Sequence, residues 1–94
     1  MARHRYLVAY DISDPVRLRR VAKTVEDYGE RIQYSVFLCD LSRADLAELQ
    51  WRLNRVIKTS ADHVLFVDLG IPSQVTFEFL GHRRPLPPTG ARVV

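Results

Sequence analysis

The chain has 94 residues, 47% of them hydrophobic and 27% charged, which fits one globular domain and excludes a disordered or collagen-like chain. Its single cysteine, Cys39, excludes an intramolecular disulfide and a zinc site built from cysteines. The net charge of +3 is compatible with an anionic partner. We expect a cytoplasmic protein without membrane contact, because the sequence has no signal-peptide pattern and no apolar run long enough to span a bilayer.

The first half of the chain predicts a strand, a helix and a second strand. Residues 5–12 are β-branched and aromatic enough for a strand. Residues 13–15, Ser-Asp-Pro, then open a helix, because short polar side chains cap helices and proline is tolerated in the first turn. Apolar residues recur at helical spacing until Gly29, the predicted stop. Alternating side chains over 32–39 predict the second strand.

The second half predicts another helix and two further strands. Ser42 and Asp45 have the spacing of a capping box, which marks the start of the helix. Strands are predicted over 62–69 and 75–80. The remaining segment, 82–94, is a basic, proline-rich link that ends in a predicted short strand.

We predict a ferredoxin-like α+β sandwich, a fold of βαββαβ order, in which residues 1–81 form a four-stranded antiparallel sheet with both helices on one face. In the first strand Val8 lies on one face and Leu7 and Ala9 on the other, so both faces are apolar. Two helices cover only one of them. We therefore predict an obligate homodimer packed sheet to sheet.

Asp11 is the first candidate for chemistry, because it ends the first strand on the face of Leu7 and Ala9. A carboxylate at a strand end is more often a cap or a turn former. In the predicted dimer, however, two Asp11 side chains approach across the two-fold axis, where they repel unless a proton or a cation lies between them. Mg²⁺ is satisfied by one or two carboxylates with water and a phosphate. Asp11 is therefore the candidate metal ligand.

A run of basic side chains follows on the first helix: Arg17, Arg19, Arg20 and Lys23. Such a run is usually a solvated helix face. The functional alternative is that these cations position the phosphates of a nucleic acid next to a metal that activates water. The sequence has no Walker loop, no dinucleotide fingerprint and no recognisable Ser/His/Asp pattern, which disfavours a phosphate-cradling loop or a catalytic triad.

Three segments resemble the CRISPR-associated protein 2 family. They are Tyr6-Leu-Val-Ala-Tyr10-Asp11-Ile12, Asp14-Pro-Val-Arg17-Leu-Arg19-Arg20 and Gly29-Glu-Arg31-Ile-Gln33-Tyr-Ser35-Val-Phe37. The resemblance implies a ferredoxin-like homodimer of CRISPR adaptation whose last strand pairs with the partner chain. It also implies the CRISPR-associated integrase as a partner, and a Mg²⁺-dependent endonuclease activity on single-stranded RNA or on double-stranded DNA.

The resemblance also implies roles for individual residues. Asp11 would hold the metal and, with Tyr10, form the catalytic group. Contact with nucleic acid is expected from Arg17, Arg19, Arg31 and Phe37. The basic run on the first helix adds Arg20 to this set. One departure is Leu38-Cys39, where the family often has an acidic residue after the phenylalanine. The alternative function is a non-catalytic dimeric scaffold that binds duplex DNA and bridges integrase dimers, with Asp11 only ordering the strand–helix turn.

Overall fold

The computed structural model describes residues 2–81, which form a four-stranded antiparallel sheet and two helices. The elements in chain order are β1 (His4–Asp11), α1 (Pro15–Glu26), β2 (Gly29–Gln33), β3 (Val36–Leu41), α2 (Arg43–Asn54), β4 (His63–Gly70) and a short 3₁₀ helix (Pro72–Gln74). The strands lie in the order β2-β3-β1-β4, so the predicted ferredoxin-like sandwich is confirmed. The predicted link and final strand over 82–94 lie outside the described residues.

Both helices begin as the sequence predicts. In α1 the Asp14 carboxylate accepts hydrogen bonds from the backbone N–H groups of Val16 (3.0 Å) and Arg17 (2.9 Å). In α2 the backbone N–H of Asp45 donates to the Ser42 hydroxyl at 3.1 Å, and the Asp45 side chain accepts from the Ser42 N–H in return. The capping box therefore satisfies two backbone donors that the helix itself leaves unpaired.

The prediction that Gly29 stops α1 is wrong. The helix ends at Glu26, and Gly29 is the first residue of β2. A side chain at this position would collide with the carbonyl oxygen of Leu38 and with Cys39 on β3. Glycine is present because the two strands approach closely, and not because a helix turns there.

The predicted strand over 32–39 is two strands joined by a turn at Tyr34 and Ser35. The register between β2 and β3 shifts between Arg31 and Gln33, which leaves Ile32 as an extra residue in β2. Such a bulge adds local twist and lets the chain reverse without a glycine in the turn. The hairpin thus supplies two strands of the sheet.

Residues 75–80, predicted as a strand, do not form one in this protomer. Their alternating apolar side chains suit a strand, but a strand also needs a neighbouring backbone with which to exchange hydrogen bonds. Here the segment follows the 3₁₀ helix and is mostly exposed, with Leu80 fully so. The prediction is therefore wrong for the single chain.

The core lies between the helices and one face of the sheet. Its fully buried side chains come from both helices and the two central strands: Val8, Val21, Val25, Phe37, Cys39, Leu49 and Leu53. Burial raises the pKa of the Cys39 thiol to about 12, so this residue behaves as a small hydrophobic side chain.

The opposite face of the sheet is apolar and open in the protomer. Leu65 and Val67 on β4 are 52% and 38% exposed, and their neighbours in β1, Ala9 and Leu7, are half-buried. The prediction of two apolar faces, one of them covered by the helices, is confirmed. The second copy that would cover the other face stays a prediction.

Candidate metal and nucleic-acid site

Asp11 ends β1 on the open face of the sheet, opposite His63 of β4 in the antiparallel register. Both residues are exposed. Within residues 2–81 no hydrogen bond or ion pair engages the Asp11 carboxylate. The acid is therefore available to a ligand or to another chain.

An exposed carboxylate has the chemistry that Mg²⁺ requires, because hard cations prefer oxygen ligands. One protomer is too poor in such groups: in the described part of the chain, no three His, Cys, Asp or Glu side chains lie together so that they could hold a metal ion. A second copy would contribute a second Asp11. Asp11 thus fits Mg²⁺ as one ligand, and the second copy that would complete a site stays a prediction.

Tyr10 points away from Asp11, into the core beneath α1. Its side chain is 7% exposed, and its ring packs against Phe37 with centroids 6.2 Å apart. Burial raises the pKa of the phenol, and the Arg31 guanidinium partly opposes this effect. The structure therefore does not bring the two predicted catalytic residues together, since their side chains lie on opposite faces of the sheet.

Arg17 is engaged by a carboxylate that the sequence analysis did not single out, that of Asp62. The Arg17 Nε donates to Asp62 Oδ2 at 2.8 Å, and a second guanidinium nitrogen donates to the Ser13 hydroxyl at 3.1 Å. The Asp62 side chain is inaccessible to solvent and also accepts from the backbone N–H groups of Ser13 (3.0 Å) and Lys58 (2.9 Å). Arg17 first, and then these N–H donors, hold the pKa of Asp62 far below its usual range.

This cluster fastens the turn after β1 to the loop before β4. Ser13 follows Asp11 by two residues, and Asp62 directly precedes His63, the neighbour of Asp11. Arg17 therefore helps to fix the strand ends that carry the candidate site. Its positive charge is largely neutralised by Asp62.

Arg19 and Arg20, in contrast, are exposed on α1. With Val16 and Lys23 they lie three or four residues apart, which places all four on one side of the helix. We call this row of side chains the α1 stripe. Its three cations are open to an anionic partner.

Arg31 lies between aromatic rings of the β2–β3 hairpin. Its guanidinium carbon is 5.2 Å from the centroid of Phe37 and 5.9 Å from that of Tyr34, and a terminal nitrogen lies 3.9 Å from a Glu26 oxygen. Phe37 is fully buried, so its ring has no surface to offer to a nucleic acid. Phe37 could therefore affect nucleic-acid contact only indirectly, through Arg31, whose guanidinium packs against its ring.

Comparison with known proteins identifies the family. The family model of CRISPR associated protein Cas2 matches residues 4–75. The chain belongs to the Cas2 family. A curated relative from Synechocystis sp., named CRISPR-associated endoribonuclease Cas2 3, is 36% identical over 89 residues, which cover 95% of this chain and 97% of the relative. A second, CRISPR-associated endoribonuclease Cas2 1 of Rhodospirillum rubrum, is 46% identical over 69 residues, which cover 73% and 68%.

Two solved structures, one of them a Cas2 protein, have the same fold. The Cas2 protein of Streptococcus pyogenes superposes with a TM-score of 0.73 at 39% identity, covering 82% of this chain and 99% of that one. A hypothetical protein from Thermus thermophilus, TT1823, superposes with a TM-score of 0.79 at 34% identity, covering 93% and 100%. Among residues 2–81, no helix has the length and apolarity needed to cross a membrane.

Proposed function

We propose that this Cas2-family chain is a Mg²⁺-dependent endonuclease of CRISPR adaptation that acts as a homodimer on single-stranded RNA. Its membership of the family, and curated relatives named as CRISPR-associated endoribonucleases, support this proposal. The observation that carries it is Asp11, an exposed carboxylate at the end of an open apolar sheet face. On the ground of the family resemblance, the proposal includes the CRISPR-associated integrase as a partner and duplex DNA as a second substrate.

The open apolar face of the sheet supports the homodimer part of the proposal. Leu65 and Val67 would become buried if an identical sheet packed on this one. Burial of apolar surface would stabilise the dimer by roughly 25 cal/mol per Å². Two-fold symmetry brings equivalent residues near each other where they lie close to the axis. We place the axis at the Asp11 end of β1, so that the two copies of Asp11 meet at the edge of the buried interface.

The two Asp11 carboxylates would hold the metal ion, with a phosphate of the substrate and water as further ligands. When bound, Mg²⁺ supplies an activated water and neutralises charge that develops on the phosphate. The protein's own residues bind and orient the strand. The exposed Arg19, Arg20 and Lys23 contact phosphates, which fixes the position of the backbone without selecting a sequence.

The exposed α1 stripe favours a second function, that of a scaffold for duplex DNA. Cations on one side of a helix bind a phosphate backbone whether or not the protein cleaves it. In this alternative Asp11 only orders the junction between β1 and α1. Retained duplex binding without any metal-dependent cleavage by the unmodified protein would favour it.

The test of the nuclease is cleavage of labelled single-stranded RNA and duplex DNA, with Mg²⁺ or with EDTA, by the unmodified protein and by Asp11→Asn. The substitution keeps the size of the side chain and removes its charge. We expect the cleavage rate of the variant to fall at least 100-fold, because a neutral amide is a poor ligand for a hard cation. The unmodified protein should lose its activity in EDTA.

Asp27→Asn is the matched control. Asp27 is another exposed aspartate, and its ion pair with Arg52 lies at the end of α1, outside the proposed site. We expect its cleavage rate to be unchanged. Equal activity of Asp11→Asn and the unmodified protein, or cleavage that persists in EDTA, would contradict the proposed nuclease.

A further inference from the structure

A pocket of about 460 Å³ opens between α1 and the β2–β3 hairpin, on the side of the sheet away from Asp11. The α1 stripe and Leu18, Ala22 and Glu26 form one wall, and the hairpin residues Arg31 and Tyr34 face them across the opening, with Tyr10 at the base. Its volume lies in the range of sites that enclose small organic ligands.

The lining of this pocket combines a mainly apolar surface with a cationic rim. Val16 and Tyr34 are 53% and 71% exposed although both are large and apolar or aromatic. Four cations line the opening against a single carboxylate, that of Glu26. A ligand that matches both properties has a flat, apolar body and a negative charge beside it.

The base of the pocket also holds two buried polar groups that interact with each other, the Tyr10 hydroxyl and the Arg31 guanidinium. The Tyr10 hydroxyl and the Arg31 Nε are both buried, and neither meets the geometry of a hydrogen bond with a partner in residues 2–81. Tyr10 is more than nine-tenths buried and lines the pocket. Their contact with each other lacks good hydrogen-bond geometry, so a ligand with polar atoms at its edge would gain by reaching them.

We infer that this pocket binds one unpaired nucleotide of a single strand. The base would stack on the exposed ring of Tyr34 and present its polar edge towards Tyr10 and Arg31. The adjoining phosphates would lie against Arg19, Arg20 and Lys23 of the α1 stripe. Unpaired bases are recognised in this way, by aromatic rings and guanidinium planes, whereas bases within a duplex are not available to stack.

The inference rests on the proposed function only in taking a nucleic acid as the ligand, and it does not require cleavage. It predicts a preference for single strands, since a pocket that accepts one nucleotide gains nothing from paired bases. The phosphate contacts alone would serve single strands and duplexes alike.

The experiment measures the affinity of the full-length protein, in EDTA, for a fluorescent single-stranded RNA, the DNA of the same sequence and the corresponding DNA duplex. Tyr34→Ala should weaken binding of at least one single strand about tenfold, as expected for the loss of one stacked base. Duplex binding should change less than twofold. Tyr34→Phe, which keeps the ring, should retain the affinity of the unmodified protein.

Trp51→Ala is the control, because Trp51 is also an exposed aromatic residue, 63% accessible, but lies on α2. Its loss should leave all three affinities unchanged, and thermal unfolding should show that both alanine variants are folded. Three results would overturn the proposed nucleotide pocket. Tyr34→Ala could lose affinity for single strands and duplex equally, it could keep its affinity for single strands, or the unmodified protein could bind no single strand at all. Because binding is measured without metal, failure of the nuclease proposal leaves these results intact, and the reverse also holds.

Discussion

At the scale of single residues, two aspartates near the Asp11 end of the sheet have opposite surroundings. Asp11 is exposed on the open face, and Asp62 is buried against Arg17. Arg17 was expected to contact nucleic acid, but its guanidinium pairs with Asp62, which lies 45 residues away in the chain. A contact between residues so distant in sequence leaves no spacing signal, so the pattern of residues could not reveal it.

The Asp62 cluster makes a prediction about stability and pH. Asp62→Asn should lower the midpoint of thermal unfolding at pH 7 by roughly 5–10 °C. It removes the negative charge that accepts hydrogen bonds from Arg17 and from two backbone N–H groups. The pKa of Asp62 is lower in the folded protein than in the unfolded chain, where it is about 3.9. The stabilisation that the Asp62 carboxylate gives to the folded protein is therefore complete above the pKa of the unfolded chain. It is lost as the pH falls through the lowered pKa of the folded protein.

Thermal unfolding followed by circular dichroism at pH 7 and at lower pH tests this prediction. The difference between the unmodified protein and Asp62→Asn should shrink as the pH falls below about 4. Asp27→Asn should change the midpoint little, since its ion pair with Arg52 is exposed. Equal midpoints of the unmodified protein and Asp62→Asn at pH 7 would show that the cluster does not hold the strand ends.

At the scale of elements, the sequence predicts helices more reliably than strand boundaries. Both helix starts carry capping residues whose effect is local, at Asp14 and Ser42, and the structure confirms both. The division of 32–39 into two strands has no such mark, because the turn at Tyr34 and Ser35 contains no glycine, proline or asparagine. The bulge at Ile32 that makes the turn possible depends on pairing with β3, which periodicity does not encode.

The α1 stripe makes a prediction at this scale. The double substitution Arg19→Ala with Arg20→Ala should weaken binding to duplex DNA and make it less dependent on salt, because fewer counterions are released from the phosphates. For two lost phosphate contacts, the slope of log affinity against log salt should fall in magnitude by about 1.8. Fluorescence anisotropy over a range of KCl concentrations measures both quantities.

The matched control for the stripe removes two exposed arginines from the region of α2, Arg43→Ala with Arg55→Ala. We expect it to leave the salt dependence unchanged. If both double variants reduce the slope equally, the cations of α1 act only through the net charge of the molecule and do not form a defined contact surface.

At the scale of the whole molecule, the apolar character of both sheet faces is enough to predict that one protomer is incomplete. The structure confirms that Leu65 and Val67 are exposed on the face that the helices do not cover. The proposed metal site could not be assembled from one sequence pattern, because each chain has one Asp11 and the second ligand would come from a copy. The segment 75–80 also has a strand pattern, but it is not a strand in the part of the chain that the structure describes.

In the proposed dimer, two chains share one cation through paired Asp11 carboxylates. A titration with Mn²⁺, in place of Mg²⁺, followed by electron paramagnetic resonance of the free ion, counts the bound ions. We expect one tightly bound ion per two chains, and loss of that ion in Asp11→Asn. One ion bound by each chain, or identical binding by Asp11→Asn, would rule out the shared site.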